Sequence, residues 1–253
     1  MHPMETLAIA VLGWLTGMFV NYLADLLPNV RRLKMPVCVY CFEPQPLVNY
    51  LFWPRTCPEC RHRRPWRVWV VELVYILISV WLWRMPHPVL GYGLSLVLML
   101  FFGVVVVVDI EHRLILHPVS IAGAVLCLGA GWWTHGIWST LLGGAAGFAS
   151  MYLLYLLGDL FARWLAKRRG ETLNEVALGF GDVNLSGVLG LLLGWPGIVG
   201  GLILAVLLGG MVSLVYLIGM LVTRRYQSFA AIPYGPFLVA SAVILVFMKG
   251  LWL

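Results

Sequence analysis

Leu100-Phe101-Phe102-Gly103-Val104-Val105-Val106-Val107-Val108-Asp109 is an apolar run without a polar face, and it stops on a carboxylate. A helix that is apolar all round belongs in a large core or a bilayer. Composition selects the bilayer. Of 253 residues, 61% are hydrophobic and 11% charged, with a mean hydropathy of +0.91. These values exclude an ordinary soluble domain. Twelve Trp and ten Tyr suit a multi-pass protein with aromatic belts at both interfaces. No cleavable signal peptide is read at the start, because the first apolar run is long and carries Asn21 and Asp25.

Eight hydrophobic segments are expected, at roughly 6–27, 68–84, 89–108, 117–134, 137–162, 176–195, 197–222 and 235–253. The fold class is therefore all-α: a polytopic membrane protein of about eight transmembrane helices. Alternate threading puts the loops 28–67, 109–116, 163–175 and 223–234 on one side. Of the 17 Lys and Arg, only Arg84 and Lys249 fall opposite these loops and their edges. The positive-inside rule makes that side cytoplasmic and leaves both termini outside. The net charge of +6 is thus explained by membrane topology, and no nucleic-acid partner is expected. Residues 1–27 form the first span, 28–67 a cytoplasmic module, and 68–253 the membrane-embedded core.

This threading brings Asp109, at the cytoplasmic end of the third span, to the depth of Asp182, near the start of the sixth. An ionisable group at membrane depth is costly and reads as functional. Two carboxylates can share one proton, so one acts as base while the other donates. That equips the pair for peptide-bond hydrolysis without a metal. The bland readings are a solvated helix end for Asp109 and a helix N-cap for Asp182. The run 183–196 is too short to span alone, so the sixth helix is expected to start near Val176. Asp182 would then lie roughly 9 Å inside it. Gly179 and Gly181 flank Asp182, and two absent side chains would let a substrate strand approach as backbone.

The module carries Cys38-Val-Tyr-Cys41 and Cys57-Pro-Glu-Cys60, 15 residues apart. Two CxxC knuckles at this spacing match a four-thiolate zinc site, and cytoplasmic placement argues against disulfides. Four sulfur ligands leave no open position, so the zinc at Cys38, Cys41, Cys57 and Cys60 is read as structural, with reduced thiols or an iron–sulfur cluster as the alternatives. Cys127 lies in the fourth span and is read as packing. Glu72, inside the second span, either pairs with a nearby Arg or contacts substrate.

With these residues in hand, the chain resembles the bacterial prepilin peptidases, the type IV leader peptidases of the GxGD aspartic class. The resemblance runs through five motifs in order: Gly13 to Asn21 with Leu27-Pro28; the paired CxxC loop with Asn49 and Glu72; Asp109-Ile-Glu-His-Arg-Leu-Ile115; Leu178-Gly-Phe-Gly-Asp182-Val; and Ile232-Pro-Tyr-Gly-Pro236. Three positions depart from the pattern. Leu26 replaces an arginine, Ile115-Leu116 replaces Ile-Pro, and Asn184 stands where a lysine is common. The resemblance implies removal of a short basic leader from prepilins or pseudopilins at the cytoplasmic face of the bacterial inner membrane, with Asp109 and Asp182 catalytic. Contacts to substrate are expected at Gly179, Gly181 and Glu72. Members with the cysteine loop also N-methylate the new N-terminus with S-adenosylmethionine, for which Glu72, Asn21 and Asn49 are the polar candidates. A presenilin-type protease would want Tyr before Asp109, where Val108 stands. The alternative from another class is a transporter or zinc-stabilised scaffold using the Asp pair for ions or protons. The sequence leaves the oligomeric state and the particular pilin-like substrate open.

Overall fold

A computed structural model describes residues 3–30, 35–38, 40–41, 43–52, 55–169, 179–223 and 233–248. The chain divides into two compact units, Met1–His112 and Arg113–Leu253. Among the described residues there are only helices and two isolated β-bridges, so the all-α expectation holds. The first unit holds α1 (Pro3–Val30), α2 (Leu47–Leu51), α3 (Arg67–Arg84) and α4 (Gly91–His112). The second holds α5 (His117–His135), α6 (Ile137–Arg169), α7 (Phe180–Leu193), α8 (Gly197–Val222) and α9 (Gly235–Phe247).

Each expected apolar segment overlaps a helix, with 176–178 and 249–253 outside the described residues, but not all eight of these helices are of membrane-spanning length among the described residues. By length and composition, four helical stretches among the described residues can cross a membrane: Met4–Pro28, Gly91–His112, Ile137–Phe161 and Gly197–Val222. α7 and α9 are shorter apolar helices, and α3 carries Arg67, Glu72 and Arg84 within its 18 residues. α6 runs on to Arg169, beyond the expected end near 162. Its tail of Ala, Leu, Lys and Arg has high helix propensity, and Asp159 pairs with Arg163 at i,i+4. Long apolar side chains stay exposed on α8, among them Val206, Leu207, Met211 and Val215, as a lipid-facing helix requires.

In lipid the hydrophobic effect gives helices little reason to associate, so close packing and interhelical hydrogen bonds carry the work. α1 approaches α3 through Gly17, where an added Cβ would lie 2.8 Å from the Glu72 Cα. The same seam is bonded at both ends: Ser79 Oγ donates to the Ile9 carbonyl at 2.7 Å, and Asn21 Nδ2 to the Val68 carbonyl at 3.1 Å. In the second unit α6 and α7 meet backbone to backbone, and a Cβ on Gly190 would lie 2.2 Å from the Gly143 carbonyl oxygen. Ser186 Oγ donates to Gly147 O at 2.9 Å along that contact.

Gly190→Leu should therefore separate α6 from α7 and cost about 1–3 kcal/mol. Gly219→Leu, where an added Cβ meets nothing within 4 Å, should not. Thermal melting of the two variants in detergent checks this. Equal melting points would remove the α6–α7 contact as a determinant of stability.

Candidate functional site

Asp109 lies within α4, not at its end. The helix continues to His112, and the chain then turns through Arg113 at φ 52°, the left-handed conformation that commonly ends a helix. Asp109 is only 5% exposed, which sets aside the reading of a solvated helix end. Its neighbours Glu111 and His112 reach outward.

Asp182 belongs to the second unit, in the first turn of α7. The N-cap is Gly179 and not Asp182; Asp182 sits at the third helical position, its backbone N–H bonded to the Gly179 carbonyl at 3.1 Å. A carboxylate in a first turn is stabilised by the helix dipole. The described α7 begins at Phe180, so Asp182 lies roughly 3 Å along it, and the expected start near Val176 falls outside the described residues. Asp182 is half-buried, and Tyr234 stands close by. Burial, together with the negative charge of Asp182, holds the Tyr234 phenol above its usual range. Tyr234 comes from the Pro-Tyr-Gly-Pro segment, so the last of the five motifs meets the fourth.

The two glycines differ in what they leave open. At Gly181 an added Cβ would lie 2.9 Å from the Ile115 Cβ, so the space is occupied by the chain itself. At Gly179 the nearest such group is the Asp182 carboxylate at 3.5 Å, and the residue is exposed. Only Gly179 offers bare backbone.

The four cysteines sit on two short hairpins. The first is closed by Cys38 N–H to Glu43 O at 2.9 Å and Gln45 N–H to Pro36 O at 2.7 Å; the second by Cys57 N–H to His62 O and Arg61 N–H to Cys57 O, both 3.0 Å. All four sulfurs lie within 4.8 Å of one another, with Cys38–Cys60 and Cys41–Cys57 at 3.6 Å. A tetrahedral zinc with sulfurs at 2.3 Å needs them about 3.8 Å apart, so the cage fits a four-thiolate metal site. Cys57 is depressed to about 6 by the amides of Cys60 and Glu59. Cys41 receives the Glu43 amide, yet desolvation and the other three sulfurs push it to about 12. Unneutralised, the cluster holds little negative charge; a divalent cation would remove that restriction.

Below the cage lies a polar network that sequence reading found only in part. Glu72, 4% exposed, pairs with Arg55 at 2.9 Å and accepts from Trp14 Nε1 at 2.9 Å. Arg55 lies over the Trp69 ring at 4.1 Å and takes φ 57° to reach inward. The Arg pairing of Glu72 is therefore formed. Asp25, singled out only as a polar residue in the first span, is the centre of a second network. It accepts from Tyr50, Arg64 and Arg67, and Arg67 also donates to Glu111 at the end of α4. Partners 25 to 42 residues away in sequence left no local signal for this.

Residues 96–218, which include both Asp109 and Asp182, match the model of the type IV leader peptidase family. The prepilin leader peptidase/N-methyltransferase of Pectobacterium carotovorum subsp. carotovorum is 26% identical, covering 96% of this chain and 93% of its own. Those of Pseudomonas putida and Pseudomonas aeruginosa are 28% and 26% identical, covering 97% and 96% of this chain and 92% and 90% of theirs. No solved structure matches.

Replacing Arg55 by Met strands the buried Glu72 carboxylate and should cost about 3–5 kcal/mol, while Arg55→Met with Glu72→Leu should recover most of it. Melting of the single and double variants is the check, and a double variant no better than the single would refute the pairing. Purified protein should carry one zinc per chain, lost in Cys38→Ser and Cys57→Ser; metal analysis showing zinc retained in both would reject the cage.

Proposed function

We infer that this chain, a type IV prepilin peptidase by its relatives, is a membrane aspartic endopeptidase that cuts the short basic leader from prepilins or pseudopilins. The observation that carries the reading is near-full-length similarity to prepilin leader peptidase/N-methyltransferases, with both Asp109 and Asp182 inside the family match. An inner-membrane protein follows from the apolar helices and the family. The transporter or scaffold alternative gains no support from these relatives.

The finer assignments are our own proposals. Asp109 and Asp182 supply the two carboxylates. The ionised one takes a proton from water as the water oxygen adds to the scissile carbonyl carbon. The protonated one donates to the carbonyl oxygen. Collapse of the tetrahedral species breaks the C–N bond, and the proton gained by the base passes to the leaving amine. Gly179 gives the substrate strand bare backbone beside Asp182. Gly181 supports the same turn through its contact with Ile115, and Glu72 acts through the Arg55 network and not by touching substrate. The active site faces the cytoplasm, with 28–67 as the zinc module and 68–253 as the peptidase core.

The test is mass spectrometry of a solubilised prepilin-like substrate incubated with wild type, Asp109→Asn and Asp182→Asn. Leader removal by wild type and a loss of at least about a thousandfold in each variant is expected, since each carboxylate performs one of two coupled proton transfers. Cleavage surviving both substitutions would end the carboxylate-pair mechanism.

A further inference from the structure

The segment Pro233-Tyr234-Gly235-Pro236 takes no part in the two-carboxylate chemistry, yet it ends beside one of the carboxylates. The helix registers of the second unit put it there. α7 and α8 run antiparallel through the turn at 194–196, and a Cβ added to Gly201 would lie 2.7 Å from Leu193 Cδ1. α8 and α9 are antiparallel as well. Gly201 faces Ser241 and Leu245, while a Cβ on Gly209 would lie 3.4 Å from the Phe237 ring and 3.7 Å from the Tyr234 ring. At ~1.5 Å per residue, Gly209 lies about 12 Å along α8 from Gly201, and Asp182 about 16 Å along α7 from Leu193. α7 also packs against α9 directly. The starts of α7 and α9 therefore stand at nearly one level of this unit, with Asp182 in the first turn of one and Tyr234 as the N-cap of the other.

We propose that Tyr234 is a positioning residue of the peptidase: its hydroxyl donates to the Asp182 carboxylate and keeps one carboxylate oxygen turned toward Gly179, where the substrate strand lies. The proposal rests on the reading of the chain as a two-aspartate leader peptidase.

The carboxylate is in need of such a hold. The terminal torsion of Asp is broad and roughly two-fold, so the backbone alone does not fix which way the group turns. In the structure Asp182 Oδ2 lies 3.5 Å from the place of a Gly179 Cβ, aimed at the exposed backbone of the turn. Burial and the Asp182 charge hold the Tyr234 phenol above its usual range, so it keeps its proton and remains a donor at neutral pH. Tyr234 and Asp182 are both half-buried, which puts the phenol at the edge of the accessible space that substrate must enter.

The tyrosine is itself held. Its ring lies against Gly209 and beside Phe237, centroids 6.4 Å apart. Its carbonyl accepts from the N–H groups of Phe237 and Leu238 at 3.1 and 3.3 Å, and Pro236 sets the first turn of α9. A ring fixed at both backbone and face can hold its hydroxyl in one place. A tyrosine serving only as an aromatic anchor at the membrane surface would contribute its ring and tolerate phenylalanine. A positioning hydroxyl does not.

The experiment is steady-state cleavage of a prepilin-like substrate by the full-length chain in detergent, for wild type, Tyr234→Phe and Phe237→Leu, with melting points to verify each fold. Tyr234→Phe removes one oxygen and keeps the ring. Its kcat should fall about 10- to 100-fold, the cost of a misaimed catalytic group, with KM within about twofold of wild type. Phe237→Leu loosens the ring packing and keeps the hydroxyl, so its kcat should stay within about threefold. In an Asp182→Asn background Tyr234→Phe should add less than about twofold to the loss, because both changes act through one carboxylate. That comparison decides the matter even if Tyr234→Phe melts early, since a folding defect would add its full cost in either background. A Tyr234→Phe kcat equal to wild type overturns the assignment. So does a raised KM at unchanged kcat, which would mark a substrate contact, and so does an equal loss in Phe237→Leu, which would mark packing. Wild type that cleaves nothing refutes the peptidase reading and the assignment with it, whereas active wild type beside an equally active Tyr234→Phe refutes the assignment alone.

Discussion

Asp25 is the carboxylate on which the first unit turns. It accepts from the Tyr50 hydroxyl at 2.6 Å and from Arg64 and Arg67, and its side chain is 16% exposed. Arg64 also lies 3.9 Å over the Tyr50 ring and donates to that residue's hydroxyl and carbonyl. Burial and the Asp25 charge push the Tyr50 phenol upward, so it remains a donor at all physiological pH. Two cations and one phenol on one carboxylate satisfy the condition under which a partly buried charge is tolerable. Arg67 extends the network to Glu111. α1, the cysteine loop and the end of α4 are thus joined by hydrogen bonds whose donors nearly all belong to the loop.

That arrangement gives the cysteine cage a mechanical meaning. Four sulfurs fix two hairpins, the second hairpin leads directly into Arg64 and Arg67, and Arg67 grips the helix end that carries Asp109 two residues earlier. A loop of this length is too short to hold its shape by a core of its own. A metal in the cage would supply one, and the arginines would transmit it. The Arg55–Glu72 pair seats the loop a second time, deeper in α3, with Trp14 and Trp69 shielding it from water and lipid.

Legibility followed the range of the interaction. The helices were readable because uninterrupted apolar runs have one physical solution in a bilayer, and the paired CxxC spacing was readable because ligand geometry is local. Asp109 and Asp182 stood out as charges at the edges of such runs. What stayed hidden was decided by distant partners. The pairing of Glu72 with Arg55 had no local signal, because the partner lies 17 residues earlier and reaches it from a left-handed backbone position. Gly181 looked like open backbone until Ile115, 66 residues earlier, was seen to fill it. Asp109 was read as the last residue of its span, but the helix continues through Ile110 to His112 and Asp109 itself is buried. The end of α6 was missed for the opposite reason: lysines and arginines break hydropathy without breaking a helix.

Asp109 and Asp182 are chemically identical side chains in unequal surroundings. Asp109 is nearly enclosed within α4, in the third of the apolar runs, whereas Asp182 is half-buried in the first turn of α7, where the helix dipole favours a negative charge. Two carboxylates can divide acid and base work only where their environments differ, and here burial and helix position differ together.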